Sequence, residues 1–131
     1  KAKKYNLKLI CDTAQAPGSM YKGSFTGTSS HVGGYSLNYH KHIHTGEGGI
    51  LVTNDDDIAD RLRLIRNHAE AVVEGMGVED ITNMVGYNYR LVNVLAAIGV
   101  AQMENFENIL KRKKEICEAI LMKATGKMKW S

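Results

Sequence analysis

Residues 35–49, YSLNYHKHIHTGEGG, carry the most informative pattern in this sequence of 131 residues. They begin inside a short segment, residues 34–39, that we predict to be a strand, and Lys41 follows just after its end. A glycine-rich turn at residues 46–49 comes next, because glycine adopts backbone conformations that other residues avoid. The apolar residues 49–53 (GILVT) then predict another strand. The stretch therefore predicts two strands joined by a loop that carries a single lysine.

On the N-terminal side, residues 7–11 (LKLIC) form a short apolar run that predicts a buried strand. Asp12 follows at its carboxyl end, which is where ligands bind in open α/β sheets. Residues 16–28 are rich in glycine and serine, contain a Pro-Gly pair and are predicted to be a loop.

On the C-terminal side, a helix is predicted after residue 54. Thr53 and Asn54 are candidate N-caps, and Ile58, Leu62 and Ile65 recur at helical spacing.

Two further helices are predicted later in the chain. Residues 74–84 show no clear period and predict a mobile excursion. Residues 91–103 (LVNVLAAIGVAQM) are apolar on more than one face, so they predict a buried helix. Residues 106–122 predict an amphipathic helix with the basic residues 111–114 facing outward, and its inward residues are Ile109, Leu110, Ile116 and Ile120.

Strands that alternate with helices predict an α/β fold with parallel strands. Three strands make a thin sheet, which indicates that the remainder of the sheet lies elsewhere.

The composition points to a globular protein. The chain is 44% hydrophobic and 24% charged, and its formal charge of +3 is too small to indicate nucleic-acid binding. No stretch approaches the roughly 20 apolar residues of a membrane helix. Cys11 and Cys117 match no metal-binding spacing, and we expect both to be buried free thiols in a reducing cytosol.

Three residues match the needs of an amine-transfer site that uses pyridoxal phosphate. Such a site needs a lysine that forms a Schiff base, a carboxylate on the pyridine nitrogen, and hydroxyl and N–H groups around the phosphate. Lys41, Asp12 and Ser36 are of the right types, and each is close to a predicted strand end.

Two other interpretations of the same stretch are weaker. His40, His42 and His44 alternate, as the ligands of a metal site on a strand would, but no carboxylate or cysteine completes the set. The GEGG of residues 46–49 lacks the lysine and Ser/Thr of a Walker phosphate loop. We therefore assign no metal ligands.

The sequence resembles the DegT/DnrJ/EryC1/StrS family of sugar aminotransferases in four blocks that occur in the family's order. The blocks are CDTAQAPGSMYKG (residues 11–23), GGYSLNYHKHIHTGEGGILVTND (33–55), RLRLIRNHA (61–69) and GYNYRLVNVLAAIG (86–99).

The resemblance implies a role for each of six residues. Lys41 matches the Schiff-base lysine, Asp12 the pyridine-nitrogen aspartate and Ser36 the phosphate-binding serine. Gln15 matches a position that packs on or hydrogen-bonds the cofactor ring.

The remaining two residues belong to an NYR motif. Asn88 matches an asparagine that reaches the phosphate of the neighbouring subunit in a dimer. Arg90 matches a residue that binds cofactor phosphate or substrate.

The implied fold is a three-layer αβα arrangement with a mostly parallel sheet, part of the large domain of a fold-type-I pyridoxal phosphate transferase. Residues 1–131 would then be a partial large domain without its N-terminal portion and without the C-terminal small domain. The implied activity is amine transfer from an amino acid, glutamate by analogy, to a nucleotide-linked keto sugar. The resemblance also implies a cytoplasmic homodimer or higher homo-oligomer that binds neither membrane nor nucleic acid. The alternative is a non-catalytic truncated fragment with only a structural or assembly role.

Overall fold

A computed structural model describes residues 1–69 and 84–126 of the chain. A 3-10 turn at Ala2–Tyr5 precedes five strands and three helices. The strands are β1 (Ile10–Asp12), β2 (Met20–Tyr21), β3 (Ser24–Phe25), β4 (Val32–Ser36) and β5 (Gly49–Val52). The helices are α1 (Asp56–Arg66), α2 (Asn93–Glu104) and α3 (Phe106–Thr125). Apart from Met84, the predicted excursion at residues 74–84 lies outside the described residues.

The main sheet has three strands in the order β1-β4-β5. Strands β1 and β4 are parallel, with Asp12 opposite Gly34, whereas β4 and β5 are antiparallel, with Ser36 opposite Gly49. The prediction of parallel strands is therefore wrong for β5. The reason is that residues 37–48, which join β4 to β5, contain no crossover helix and lead the chain straight back along β4.

The predicted loop at residues 16–28 contains a short hairpin. Strands β2 and β3 pair antiparallel, and the two residues between them, Lys22 and Gly23, both have positive φ (51° and 80°). This conformation is typical of a type I′ turn, which suits the twist of a two-stranded ribbon.

Helix α1 confirms the predicted helix but has a different cap. The Asp55 side chain, which is the N-cap, accepts a hydrogen bond from the Ile58 N–H at 3.1 Å. Thr53 and Asn54, the predicted caps, instead donate to the carbonyls of His31 and Thr28. Their side chains thus tie the start of α1 to the loop before β4.

Helices α2 and α3 confirm two predicted elements but not their predicted burial. Val94 and Val100 of α2 are 72% and 61% exposed, and no residue of α2 is buried. Ile116 and Ile120, which were predicted to face inward, are also exposed, whereas the basic residues 111–114 face outward as predicted. An apolar pattern marks the face that needs a partner, and among the described residues nothing covers these faces.

Two groups of hydrophobic residues are buried, one in the loop between β4 and β5 and the other at the end of α1 and just after it. Leu37, Ile43, Leu64 and Ala69 are the buried hydrophobic residues of the described part, and Leu64 is only 2% exposed. The prediction that both cysteines are buried is wrong, because Cys117 is exposed on α3 and Cys11 is half-buried on β1. The described residues form a mixed sheet with three helices, and the three-layer arrangement stays a prediction. None of the described helices is long and apolar enough to cross a membrane.

Candidate active site

The loop that carries Lys41, residues 37–48, is closed by backbone hydrogen bonds. Leu37 N–H donates to the Gly48 carbonyl, Tyr39 N–H to the Gly46 carbonyl and Thr45 N–H to the Leu37 carbonyl, at 2.8, 2.8 and 2.9 Å. These bonds hold the two ends of the loop together, so that it folds back on itself over the end of β4. We call it the lysine loop.

Buried side chains hold the lysine loop in place. Ile43 and Thr45 are buried, and the Thr45 hydroxyl donates to the Glu47 carbonyl at 2.6 Å. The His44 N–H donates to Gln102 Oε1 of α2 at 3.0 Å, across 58 residues of sequence. Helix α2 therefore supports the loop from outside.

Asp12 and Ser36 end two neighbouring parallel strands, β1 and β4. They line one cavity of about 380 Å³, whose other lining residues are Ile10, Cys11, Ala14, Gly34, Tyr35, Gly48 and Leu51. One Asp12 carboxylate oxygen accepts a hydrogen bond from the Ala14 N–H at 3.0 Å, and the Ser36 hydroxyl oxygen accepts one from the Asn38 N–H at 3.2 Å. A carboxylate and a hydroxyl thus face the same small space.

Lys41 and Gln15 meet beside this cavity. The Lys41 ammonium donates to Gln15 Oε1 at 2.8 Å, although 26 residues separate them in sequence. Neither residue is among those that line the cavity, but Gln15 directly follows Ala14, which does. The structure therefore brings four of the six predicted site residues to one end of the sheet.

Asn88 and Arg90 form a separate pair. Arg90 Nε donates to Asn88 Oδ1 at 3.1 Å, and both residues are exposed. Arg90 lines a larger groove of about 1130 Å³ between β5, α1 and the start of α2, which shares Tyr35, Gly48 and Leu51 with the smaller cavity. No hydrogen bond between described residues joins Asn88 or Arg90 to the other four predicted site residues.

A backbone clamp places this pair. Segment 86–89 bonds to the end of α1: Tyr87 N–H donates to the Ile65 carbonyl, His68 N–H to the Tyr87 carbonyl and Tyr89 N–H to the Arg66 carbonyl, at 2.7, 3.0 and 3.0 Å. Gly86 lies so close to this turn that an added Cβ would be 2.1 Å from the Ala69 nitrogen. Only glycine fits there, and the clamp fixes the position of the backbone from which the Asn88 side chain extends.

The three histidines of the lysine loop do not lie on a strand. Residues 39–43 are turns and bends, residues 44 and 45 have no regular structure, and the described residues contain no group of three His, Cys, Asp or Glu side chains placed to hold a metal. His42 Nδ1 is buried without a hydrogen-bond partner among the described residues.

Sequence patterns did not point to the residues that support the site. Gln102, Thr45 and Gly86 do not belong to the predicted set, yet they hold the lysine loop and the Asn88–Arg90 pair in place. Gly86 could have been recognised as a supporting residue from its position in the GYNYR block. Nothing in a single sequence indicates that Gln102 supports the lysine loop.

Comparisons with known proteins place the chain in one family. The family model of the DegT/DnrJ/EryC1/StrS aminotransferases matches residues 1–125.

Two curated relatives cover most of the chain. GDP-perosamine synthase of Escherichia coli is 41% identical over 117 residues, which are 89% of this chain and 31% of that protein. The UDP-4-amino-4,6-dideoxy-N-acetyl-beta-L-altrosamine transaminase of Campylobacter jejuni is 36% identical over 115 residues, 88% of this chain and 30% of that protein. The chain thus spans about a third of the length of these relatives.

Solved structures have the same fold. The sugar aminotransferase CalS13 from Micromonospora echinospora superposes with a TM-score of 0.77 at 33% identity and covers 93% of this chain and 34% of its own. Helicobacter pylori PseC, an aminotransferase involved in the biosynthesis of pseudoaminic acid, gives a TM-score of 0.69 at 28% identity and covers 81% of this chain and 28% of its own. The match of the family model over nearly the whole chain shows that this chain belongs to the DegT/DnrJ/EryC1/StrS aminotransferase family.

Proposed function

We propose that this chain is the part of a pyridoxal phosphate-dependent aminotransferase that carries the cofactor lysine, Lys41. The observation that carries the proposal is the position of the Lys41 amine, held by Gln15 beside a cavity into which Asp12 and Ser36 project. The names of the relatives, a perosamine synthase and an altrosamine transaminase, support a nucleotide-linked keto sugar as the substrate.

The residues around the cavity fit the cofactor. A carboxylate at a strand end can pair with a protonated pyridine nitrogen, and one Asp12 oxygen already accepts the Ala14 N–H, which fixes the carboxylate. The Ser36 hydroxyl can donate to a phosphate oxygen while its own oxygen accepts the Asn38 N–H. When bound, pyridoxal phosphate supplies an electron sink for the carbon that exchanges its amine.

Lys41 has two roles in this proposal. Its amine would hold a bound cofactor covalently, and Nζ, when free, would take up and release a proton at the substrate as a general acid and base. The closed lysine loop supports both roles, because it fixes the backbone from which the side chain extends.

Asn88 and Arg90 supply donors for an anion. We assign Asn88 to the cofactor phosphate of a neighbouring subunit in a homodimer and Arg90 to cofactor phosphate or substrate, both by the family resemblance. Their exposure supports a role across a subunit boundary, as does the lack of any hydrogen bond between described residues that joins them to Lys41. The proposal further includes glutamate as amine donor, a cytoplasmic location, and residues 1–131 as part of a larger large domain.

A second candidate is a non-catalytic role in assembly. Exposed apolar residues on β1 and α2, such as Ile10 and Val94, favour it because surfaces of this kind bind other protein surfaces.

One titration separates the two candidates. The purified chain is titrated with pyridoxal phosphate, and the amine-transfer proposal predicts a new visible absorbance band. After borohydride reduction, peptide mapping should place the cofactor on Lys41. Lys41→Ala should abolish both signals, and Lys22→Ala, a change of an exposed lysine in the β2-β3 turn, should leave both intact. A chain that gives no band at saturating cofactor would favour the assembly role.

A further inference from the structure

The Lys41 amine lies outside the cavity that it must enter to bond a cofactor there. Its hydrogen bond goes to Gln15 Oε1 at 2.8 Å, and neither side chain lines the 380 Å³ cavity. The Lys41 amine therefore has a defined partner that is not one of the residues lining the cavity.

Both ends of this contact are held by the backbone. The turn before Gln15 is fixed by Thr13, whose N–H and hydroxyl both donate to the Gly34 carbonyl, at 2.9 and 2.8 Å. Lys41 N–H donates to the Asn38 carbonyl at 2.9 Å at the start of the lysine loop. The amide oxygen is thus presented to the amine from a rigid turn.

The partner of the amine is neutral. Ion pairs in the described ranges involve residues of α1 and α3, and none involves Lys41. An exposed hydrogen bond to an amide oxygen is weaker than a buried ion pair and can be broken at modest cost. The contact is strong enough to place the amine and weak enough to release it.

We propose that Gln15 is the resting partner of the Lys41 amine: it holds Nζ beside the cavity whenever the lysine is not bonded to cofactor. This inference rests on the proposed function and differs from the role implied by the resemblance, in which Gln15 packs on or hydrogen-bonds the cofactor ring. When an amino substrate takes the place of Lys41, Gln15 would give the freed amine a fixed position from which it could act on the substrate.

The two roles predict opposite changes in the fraction of Lys41 that is covalently attached to cofactor when Gln15 is replaced. When Nζ bonds the aldehyde carbon, with loss of water, its hydrogen bond to Gln15 is lost. The bond to Gln15 therefore favours the unattached lysine by about two- to tenfold, the range expected for one hydrogen bond. Its removal should raise the fraction of Lys41 that is covalently attached, whereas loss of a ring contact should lower it.

Two measurements on the chain test this, with Gln15→Leu as the variant and Gln15→Glu as a matched control that keeps an acceptor oxygen. The first measurement is reductive methylation, which needs no cofactor. A lysine amine condenses with formaldehyde, with loss of water, and cyanoborohydride then delivers hydride to the new C=N carbon. Mass spectrometry gives the rate at Lys41 relative to exposed Lys8. We expect Gln15→Leu to speed methylation of Lys41 by about two- to tenfold, because the amine is released, and Gln15→Glu to keep it slow.

The second measurement is the equilibrium fraction of pyridoxal phosphate trapped on Lys41 by borohydride at subsaturating cofactor. We expect a rise of the same size in Gln15→Leu. Unchanged methylation in Gln15→Leu would overturn the proposal. Faster methylation with a lower trapped fraction would also overturn it, because Gln15 would then act on the cofactor ring. If the unmodified chain traps no cofactor, the proposed function fails, and the methylation rates still decide whether Gln15 holds the amine.

Discussion

Replacing Gly86 with alanine should open the backbone clamp that places Asn88. The added Cβ would lie 2.1 Å from both the Ala69 nitrogen and the His68 carbonyl carbon. All of these atoms belong to the backbone, so no side chain can rotate away to relieve the overlap.

The size of the effect follows from the clamp itself. The overlap is relieved when segment 86–89 separates from the end of α1, and this loses the three hydrogen bonds of the clamp. At the usual net value for such bonds the loss is about 2–4 kcal/mol, and overpacking of a tight contact costs a similar amount. Each 1.4 kcal/mol corresponds to a factor of ten, so local opening should become roughly 30- to 800-fold more frequent.

Amide hydrogen exchange measures this opening directly. The amides of His68, Tyr87 and Tyr89, which donate the clamp bonds, should exchange faster in Gly86→Ala by that factor. Gly34→Ala is the matched control, because its added Cβ would be 3.4 Å from the nearest atom, an ordinary contact. If the three amides exchange at the same rate in Gly86→Ala as in the unchanged chain, the close approach at Gly86 does not hold the clamp.

Two further predictions concern the lysine loop and helix α1. Gln102→Leu removes the acceptor of the His44 N–H, so hydrogen exchange of that amide should speed up by about two- to tenfold. Gln102→Glu keeps an acceptor oxygen and should keep the slow exchange rate. Equal exchange rates in the unchanged chain and both variants would contradict the support that we assign to α2. Asp55→Ala removes the N-cap that binds the Ile58 N–H and should lower the free energy of unfolding, measured in urea, by about 1 kcal/mol. Asp55→Ser keeps a capping oxygen and should lower it much less. An equal loss in both variants would rule out the cap as the cause.

Local sequence patterns predicted most elements but not how they pair. The cap signals gave α1 close to its observed start, the apolar period gave α3 close to its observed bounds, and the apolar runs gave β1 and β5 within a few residues. Periodicity cannot report strand direction, which is why the antiparallel pairing of β5 was missed. The exposure of α2 was not predicted for a similar reason. An apolar pattern shows that a helix face needs a partner, but it does not show which residues supply that partner.

The candidate site could likewise be predicted only in part. Asp12 and Ser36 could be assigned to the site from the sequence, because Asp12 directly follows a predicted strand, Ser36 lies within another, and the carboxyl ends of parallel strands meet at one edge. The bond between Lys41 and Gln15 could not be predicted, since it depends on the fold of the lysine loop and on the turn that Thr13 fixes. The roles of the six residues in binding a cofactor stay predictions.

The clamp at Gly86 also bears on how proteins with this site can diverge. It joins the chain just before residue 70 to the chain just after residue 83, so the intervening stretch starts and finishes at the same point of the fold. Extending a closed stretch costs little, about 0.6 kcal/mol for each doubling of its length. Insertions and deletions between the two ends can therefore accumulate without displacing Asn88 or Arg90. The clamp thus keeps Asn88 and Arg90 in register with the rest of the site through contacts between described residues.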